Sequence, residues 1–233
     1  MNSIKFLSKI TLAASFLLAL VFAFSCSSSG NNDGNGGGQG GSFNENSQIY
    51  IDGNTLYRDN GIIKVPSGMT CGDGDCHWEL IGEAGSVTNG IVKLELPPTI
   101  SGEYLRDFIS DDKDSPRQSS CTDYPEDIKA LNNLFYFQPL ILTSSNGEYI
   151  GNLIMGYIFG ENTFEFITYV YFSKDGKITC NFEGEAIYNL NVKEGWNKIY
   201  WRRYLRSNTQ INEWSTNNIL TKEKEMKWII LQE

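Results

Sequence analysis

Apolar residues recur at about every second position through most of the chain beyond residue 49, which is the period of β-strands. Residues 91–96 alternate in this way and end at Pro97 and Pro98, neither of which can donate a backbone hydrogen bond to a neighbouring strand. The segment 163–172 is instead β-branched and aromatic throughout, with apolar residues on both faces. It predicts a central strand that is covered on both sides.

Turn residues separate the other strand-like segments. Asp175-Gly176, followed by apolar residues at period two, is the strongest hairpin signal, because Asp-Gly accepts the positive φ of a tight turn. Asn60-Gly61, Asn89-Gly90 and Asn146-Gly147 predict similar turns. Further strands are predicted over 134–142, 149–159, 178–182, 186–192, 198–205 and 226–231. The fold class predicted is all-β, an antiparallel β-sandwich of the immunoglobulin-like or transthyretin-like kind.

Helical patterns are scarce. Residues 123–134 combine Asp123 as an N-cap, an early Pro125 and apolar residues at helical spacing, which predicts one short helix. Residues 103–109 predict a second helical turn.

The first 25 residues have a different pattern. Lys5 and Lys9 precede a predominantly apolar run over 10–24, which is followed by Ser25 and Cys26. A helix that crosses a bilayer needs about 20 apolar residues, so this shorter run indicates a secretory signal.

The segment that ends at Cys26 resembles a bacterial lipoprotein precursor. The resemblance implies that the chain is cleaved before Cys26, that a lipid is attached to the Cys26 sulfur, and that residues 23–25 form the motif recognised by the peptidase. Within this motif the small Ser25 fits the usual pattern, whereas Ala23 and Phe24 depart from it. It also implies that the partner is a bacterial membrane, reached through the lipid anchor, with the outer membrane as the expected location and the domain facing the periplasm or the cell surface. Ordinary secretion, with Cys26 as a stray thiol, is the alternative.

Residues 26–48 predict a tether. They are rich in Gly, Ser and Asn and hold almost nothing that a core would bury, so we expect a disordered spacer. Residues 49–233 then form the β domain, with 49–77 as a candidate peripheral hairpin extension.

The net charge of −9 bears on partners. Removal of residues 1–25 takes away Lys5 and Lys9 and no acid, so the mature chain is more negative still. Such a surface repels phosphate backbones, which argues against nucleic acid and against attachment to an anionic bilayer by charge alone.

A second set of motifs lies within the β domain. Residues 78–82 (WELIG), 85–97 (GSVTNGIVKLELP), 103–105 (EYL) and 189–201 (NLNVKEGWNKIYW) together resemble a pattern in uncharacterised β-rich bacterial surface lipoproteins. The resemblance implies a β-rich architecture and a location at the cell surface. It implies no activity, because these proteins have no established one.

Four cysteines remain besides Cys26, and an exported protein is expected to pair them. Three pairings are possible; we favour Cys71 with Cys76 and Cys121 with Cys180. Residues 71–77 (CGDGDCH) also hold donors that zinc prefers, and Asp111, Asp112 and Asp114 could bind calcium. Because His77 is the only histidine and no calcium-binding loop pattern is present, we predict solvent-exposed loops, no metal site and no cofactor.

No catalytic constellation is evident. Glu183 and Glu185 flank Gly184 and are candidates for a glycosidase pair, but closeness in sequence does not place two carboxylates across a cleft. No serine or cysteine lies in a recognisable nucleophile motif. The chain is therefore predicted not to be an enzyme.

Aromatic residues give the binding hypothesis. Within 198–205, Ile199, Trp201 and Leu205 are predicted to face the core, so that Tyr200, Arg202 and Tyr204 would offer rings and donors to a sugar or peptide, with Trp214 extending the surface. The competing interpretation is cross-strand pairing that only stabilises the sheet.

These observations predict a lipid-anchored envelope or cell-surface protein with a non-catalytic binding or structural role. A carbohydrate-binding surface lipoprotein and a tethered glycan hydrolase are the alternatives. Polysaccharide and another envelope protein are the partner classes considered, the latter through strand pairing in an assembly role.

Overall fold

The computed structural model describes residues 42–43, 48–51, 55–72, 75–108, 120–131, 140–160, 163–182, 186–207, 209–222 and 225–231. Nearly all of this is β-structure, in one large and mostly antiparallel sheet. The strands are β1 (Ser42–Phe43), β2 (Ile49–Ile51), β3 (Thr55–Leu56), β4 (Gly61–Gly72), β5 (Asp75–Thr88), β6 (Ile91–Glu95), β7 (Arg106–Asp107), β8 (Cys121–Asp123), β9 (Lys129–Ala130), β10 (Leu140–Thr143), β11 (Tyr149–Gly160), β12 (Thr163–Phe172), β13 (Gly176–Phe182), β14 (Ala186–Val192), β15 (Gly195–Arg206), β16 (Thr209–Ser215) and β17 (Lys227–Leu231).

Part of the sheet closes on itself. β6, β5, β4, β10, β11, β17 and β2 pair in that order, and Gln48, directly before β2, pairs with Ile91 of β6. The strands therefore form a ring, in which the parallel pair of β17 and β2 is the exception to antiparallel pairing.

The sheet branches at β11. One edge of β11 pairs first with β10 and further along with β12, while its other edge pairs with β17. From β12 a second run of strands continues through β15, β16, β14, β13 and β8. β12 thus links the ring to the rest of the domain.

The two largest of the three hydrophobic cores among the described residues lie on opposite faces of β12, and the third is a minor cluster of Ile154, Phe166, Trp201 and Ile229. The larger core fills the ring and takes Ile167, Tyr169 and Tyr171 from β12. The smaller core takes Val170 and Phe172, together with residues of β13, β14 and β15. The central strand expected over 163–172 is confirmed, and it serves as a wall that both cores share.

The sequence periodicity located most other strands well. The strand predicted over 186–192 matches β14, and those over 91–96, 149–159, 178–182, 198–205 and 226–231 differ from β6, β11, β13, β15 and β17 by a few residues. Of the strand predicted over 134–142, residues 134–139 lie outside the described part of the chain, and β10 begins at Leu140.

The hairpin predicted at Asp175-Gly176 is wrong. β12 and β13 follow one another in sequence but do not pair: β12 lies between β11 and β15, whereas β13 pairs with β14 and β8. Both edges of β12 are already occupied, and the Asp175 carboxylate accepts hydrogen bonds from Nζ of Lys193 (2.7 Å) and from the N–H of Glu194 (2.8 Å). The preference of Asp-Gly for a tight turn is therefore overridden by the pairing of the central strand β12.

Of the three predicted Asn-Gly turns, two are formed and one is not. Asn89 (φ 51°) and Gly90 (φ 76°) both adopt the left-handed conformation that a tight hairpin requires, and they join β5 to β6 as predicted. Gly147 (φ 84°) lies in the predicted turn between β10 and β11. Gly61 has no positive φ and begins β4, so a turn centred on Asn60-Gly61 is not formed.

The helix predicted over 123–134 is wrong for the residues that the structure describes. Asp123 ends β8, and Lys129–Ala130 form β9, which pairs with β7 and with Phe172 of β12. Ile128 and Ala130 are fully buried in the smaller core. Of the second helical turn predicted over 103–109, only Glu103 and Tyr104 are helical, in a 3-10 turn over Gly102–Tyr104, whereas Arg106–Asp107 form β7.

Residues 49–65 belong to the centre of the domain, although 49–77 was predicted as a candidate peripheral hairpin extension. Ile49, Ile63 and Val65 are at most 1% exposed and belong to the larger core. β2 and β4 are members of the ring, and only the end of the β4–β5 hairpin extends beyond it.

We predict that Gly156→Ala destabilises the domain. A Cβ at Gly156 would lie 2.1 Å from Cδ1 of Phe166 and 3.0 Å from the backbone oxygen of Glu165, so the ring and the backbone would both have to move. Overpacking of this kind costs about 1–3 kcal/mol, which urea unfolding would measure. Gly68→Ala is the matched control, because a Cβ at this strand position meets nothing within 4 Å. Equal unfolding midpoints for the two variants would contradict the packing described.

Candidate functional site

A row of aromatic residues crosses four strands in direct register. Phe166 of β12 lies opposite Trp201 of β15, which lies opposite Trp214 of β16, which lies opposite Tyr188 of β14. Trp201 and Trp214 stack with ring centroids 5.5 Å apart and planes 8° from parallel, and Trp214 stacks on Tyr188 at 4.5 Å. We call these four residues the aromatic row.

Arg203 lies beside the aromatic row on the same face of the sheet. Its guanidinium carbon is 4.4 Å from the centroid of the Phe164 ring and 5.7 Å from that of Trp201, both within the range of cation–π attraction. Its Nε donates a hydrogen bond to Oδ1 of Asn212 (2.8 Å). Burial lowers the pKa of Arg203, because the surrounding apolar groups solvate a charge poorly.

The predicted ligand-binding face of β15 is largely engaged in structural contacts. Tyr200 is half-buried and packs against the larger core. Nε and Nη2 of Arg202 both contact Oε2 of Glu213 at 2.8 Å, and Nη1 donates to the backbone oxygen of Ile219 (3.2 Å). The Arg202 guanidinium also lies 4.9 Å from the centroid of half-buried Tyr204. Among Tyr200, Arg202 and Tyr204, the smallest structural role in the described contacts is that of Tyr204.

Two placements on β15 and β16 differ from the prediction. Trp214 is paired with Trp201, so it lies on the face opposite Tyr200, Arg202 and Tyr204 and does not extend their surface. Leu205, predicted to face the core, is 52% exposed near the end of β15, where β15 still pairs with β16 but no longer with β12. Ile199 and Trp201 are buried as expected.

Glu165 is the only acidic residue that is fully buried in the described part of the chain, with 3% exposure. Its carboxylate accepts hydrogen bonds from the backbone N–H and the hydroxyl of Thr221 and from the N–H of Lys222, all at 2.8–2.9 Å. Burial of a carboxylate is costly unless donors compensate it, and here one turn supplies them. Glu165 therefore fastens the segment between β16 and β17 onto the central strand.

Four acids at the surface of the described region form ion pairs with lysines. Hydrogen bonds from Lys177 to Asp123, from Lys174 to Asp127 and from Lys193 to Asp175 hold the pKa of each carboxyl below its usual range. The same effect of Lys222 lowers the pKa of Glu225. These acids are ionised more readily than usual, which is the reverse of what a general acid needs near neutral pH.

Cys121 and Cys180 form a disulfide between directly opposed residues of β8 and β13, as expected from the sequence. The two cysteines are 59 positions apart in the sequence, so the disulfide contributes about 4 kcal/mol on the chain-entropy model. Cys71 and Cys76 are opposed in the register of β4 and β5, which suits the second predicted pairing. That pairing stays a prediction.

No family model, curated protein or solved structure matches the chain. Within the described residues, no group of three or more His, Cys, Asp or Glu side chains is arranged to hold a metal ion. No helix among them is long and apolar enough to span a bilayer.

Several predicted features lie outside the described residues. They are the signal sequence, the lipidation site Cys26, most of the tether, the acidic run at Asp111, Asp112 and Asp114, and the pair Glu183 and Glu185. The described residues of the tether predicted over 26–48 are not a disordered spacer: Ser42–Phe43 pair with β6, and Gln48 pairs with Ile91.

Sequence reasoning missed Arg203 and Glu165. The alternation along β15 already placed Arg203 on the face of Trp201 and Leu205, so the signal was present there. Glu165 gave a weaker signal, a single acid within the apolar segment 163–172, and its partners at Thr221 and Lys222 are 56 and 57 positions away in sequence.

We predict that Glu165→Gln loosens the segment between β16 and β17. The amide offers one acceptor oxygen instead of two and turns its NH₂ group toward N–H donors, so buried donors lose partners at a cost of about 1–3 kcal/mol. Amide hydrogen exchange should accelerate first at Thr221 and Lys222. Glu83→Gln, which removes an exposed pair with Lys64 (2.9 Å), should leave both amides protected. Unchanged exchange at Thr221 in Glu165→Gln would argue against the fastening role.

Proposed function

We propose that this protein is a lipid-anchored component of a bacterial envelope, whose β domain has a non-catalytic binding or structural role. Support for the anchor comes from the charged start, the short apolar run and Cys26, followed by a tether that would hold the domain clear of the membrane. The strongest support for the non-catalytic role is the use of Glu165 as a structural hydrogen-bond acceptor.

Four other described acids support the same conclusion. A glycan hydrolase needs one carboxyl whose pKa is raised, so that it can donate a proton, facing a second carboxylate across a cleft. Asp123, Asp127, Asp175 and Glu225 have lowered pKa values and lysine partners. A tethered hydrolase is therefore the less favoured alternative.

We further infer that the architecture is a layered sandwich, of the immunoglobulin-like or transthyretin-like kind. The two cores on opposite faces of β12 support layered packing. Such a domain presents strand faces and loop ends to partners without requiring a catalytic cleft.

Carbohydrate binding is the second candidate function. The observations that favour it are the half-buried ring of Phe164 with the Arg203 guanidinium over it, and half-buried Tyr204 beside Arg202. Rings next to guanidinium groups suit ligands that have both an apolar face and polar edges.

We predict that the protein incorporates labelled palmitate when it is expressed in a bacterial host, and that it fractionates with membranes. Cys26→Ser should abolish both, because no sulfur is left at the modified position, whereas Ser28→Ala should retain both. Release of the unlabelled wild-type protein into the soluble fraction would contradict the anchor.

The non-catalytic role has its own test in the same preparation. Membrane-bound protein incubated with polysaccharides should release no reducing ends. Release that is lost on substitution of an acidic residue would overturn the proposed role in favour of the hydrolase.

A further inference from the structure

The β4–β5 hairpin extends beyond the ring as a two-stranded ribbon. β4 pairs with β10 as far as Lys64, and β5 pairs with β6 from Gly85 onward. Within the described part of the chain, β4 and β5 pair only with each other over residues 65–84. A two-stranded ribbon is marginally stable in water, and pairing with a third strand stabilises it, so an unpaired edge here is a candidate binding surface.

The two edges of this ribbon differ. The Ser67 hydroxyl donates a hydrogen bond to the backbone oxygen of Glu79 (3.3 Å), so the backbone groups of Glu79 face β4. Because successive residues of a strand direct their N–H and C=O groups to opposite edges, those of Trp78 and Leu80 face outward. Pro66 lies opposite Leu80 and has no N–H, which blunts the edge of β4. The edge of β5 keeps its donors.

The edge of β5 also has an apolar face. Trp78 is half-buried and Leu80 is 42% exposed, and side chains two positions apart in a strand lie on the same face. Beyond Leu80, the extra residue Ile81 interrupts the register with β4. The regular edge therefore covers Asp75–Leu80, which is the length of an ordinary strand. A strand that pairs along it would also cover the Leu80 side chain.

The ribbon is acidic. Residues 65–82 contain three acidic residues and neither lysine nor arginine. At the base of the ribbon, the nearest cation, Lys64, is neutralised by Glu83 at 2.9 Å. A strand that brings lysine or arginine to this edge gains favourable cross-strand pairs, whereas an acidic strand is repelled.

Charge selects among the strands that could pair with this edge. A second copy of the chain would bring the same three acids to it, and the tether over 27–48 contains two acids and no base, so neither is a suitable occupant. We propose that the β5 edge over Asp75–Leu80 binds an extended, cationic segment of another envelope protein, which adds a third strand to the ribbon. This inference rests on the binding role proposed above and gives it a location.

The test is backbone amide hydrogen exchange, followed by NMR, of the full-length protein in non-ionic detergent with and without the peptide acetyl-KVKVKVK-amide. In the free protein, the amides of Trp78 and Leu80 should exchange faster than that of Glu79, whose N–H faces β4. Saturating peptide should slow exchange at Trp78 and Leu80 by at least about tenfold, because a hydrogen-bonded amide exchanges only when the pairing opens.

Two further peptides separate the backbone contribution from that of charge. A fully N-methylated peptide of the same sequence keeps the lysines and has no backbone N–H to donate. The peptide acetyl-EVEVEVE-amide keeps the backbone and reverses the charge. Both should bind at least about tenfold more weakly than the lysine peptide.

A matched pair of protein variants tests the location. Leu80→Lys places a cation at the edge and removes an apolar contact, so it should weaken binding of the lysine peptide by about fivefold or more. Leu205→Lys adds the same charge at an exposed leucine near the end of β15, so binding should stay within about twofold of wild type. The spectra report whether each variant is folded, and the peptide series tests the wild-type protein in either case.

Four results would overturn the inference. They are slow exchange at Trp78 and Leu80 in the free protein, which would show an edge that is already paired; no added protection there with the lysine peptide; equal binding of the N-methylated or the glutamate peptide; and equal losses in Leu80→Lys and Leu205→Lys. Each of them leaves the proposed lipid anchor standing, because palmitate labelling tests that anchor independently.

Discussion

The burial of β12 on both faces is the constraint on which the rest of the structure depends. Alternate residues of this strand enter two separate cores, with Ile167 and Tyr169 on one side and Val170 and Phe172 on the other. A strand of this kind must have both faces covered, because its apolar side chains are far more stable away from water. It must also have both edges paired, because its buried N–H and C=O groups need hydrogen-bond partners. The branching of the sheet at β11 and the course of β15 along β12 satisfy that requirement.

The same constraint positions the candidate site. Because β15 follows β12 over residues 195–203, the row that contains Phe166 continues into Trp201 and then into Trp214 and Tyr188. Gly156 gives the Phe166 ring room at one end of the row, and the disulfide partner Cys180 lies opposite Tyr188 at the other. Arg203 comes one row further along this supported surface, so its guanidinium is held against rigid rings instead of moving freely in solvent.

Sequence periodicity was informative wherever a strand is long and apolar. It located β12 and β14 and the buried pair Ile199 and Trp201, because alternation and β-branching reflect burial directly. It could not decide which strands pair: the Asp-Gly signal at Asp175 was overridden because β12 already had β11 and β15 at its edges. The helical pattern after Asp123 failed for a similar reason, since Ile128 and Ala130 are buried by the smaller core in an extended segment. Contacts between distant residues, such as those of Glu165 with Thr221, leave no local pattern at all.

If β12 is a wall that two cores share, those cores should unfold as one cooperative unit, and native-state hydrogen exchange in Phe172→Ala measures this most directly. Phe172 is fully buried in the smaller core, and its loss should cost about 3–5 kcal/mol. We expect the most protected amides to lose the same free energy of opening at Leu190, in the smaller core, and at Ile230, in the larger one. Loss of protection at Leu190 with Ile230 unchanged would show that the cores are independent, and it would contradict the central role assigned to β12.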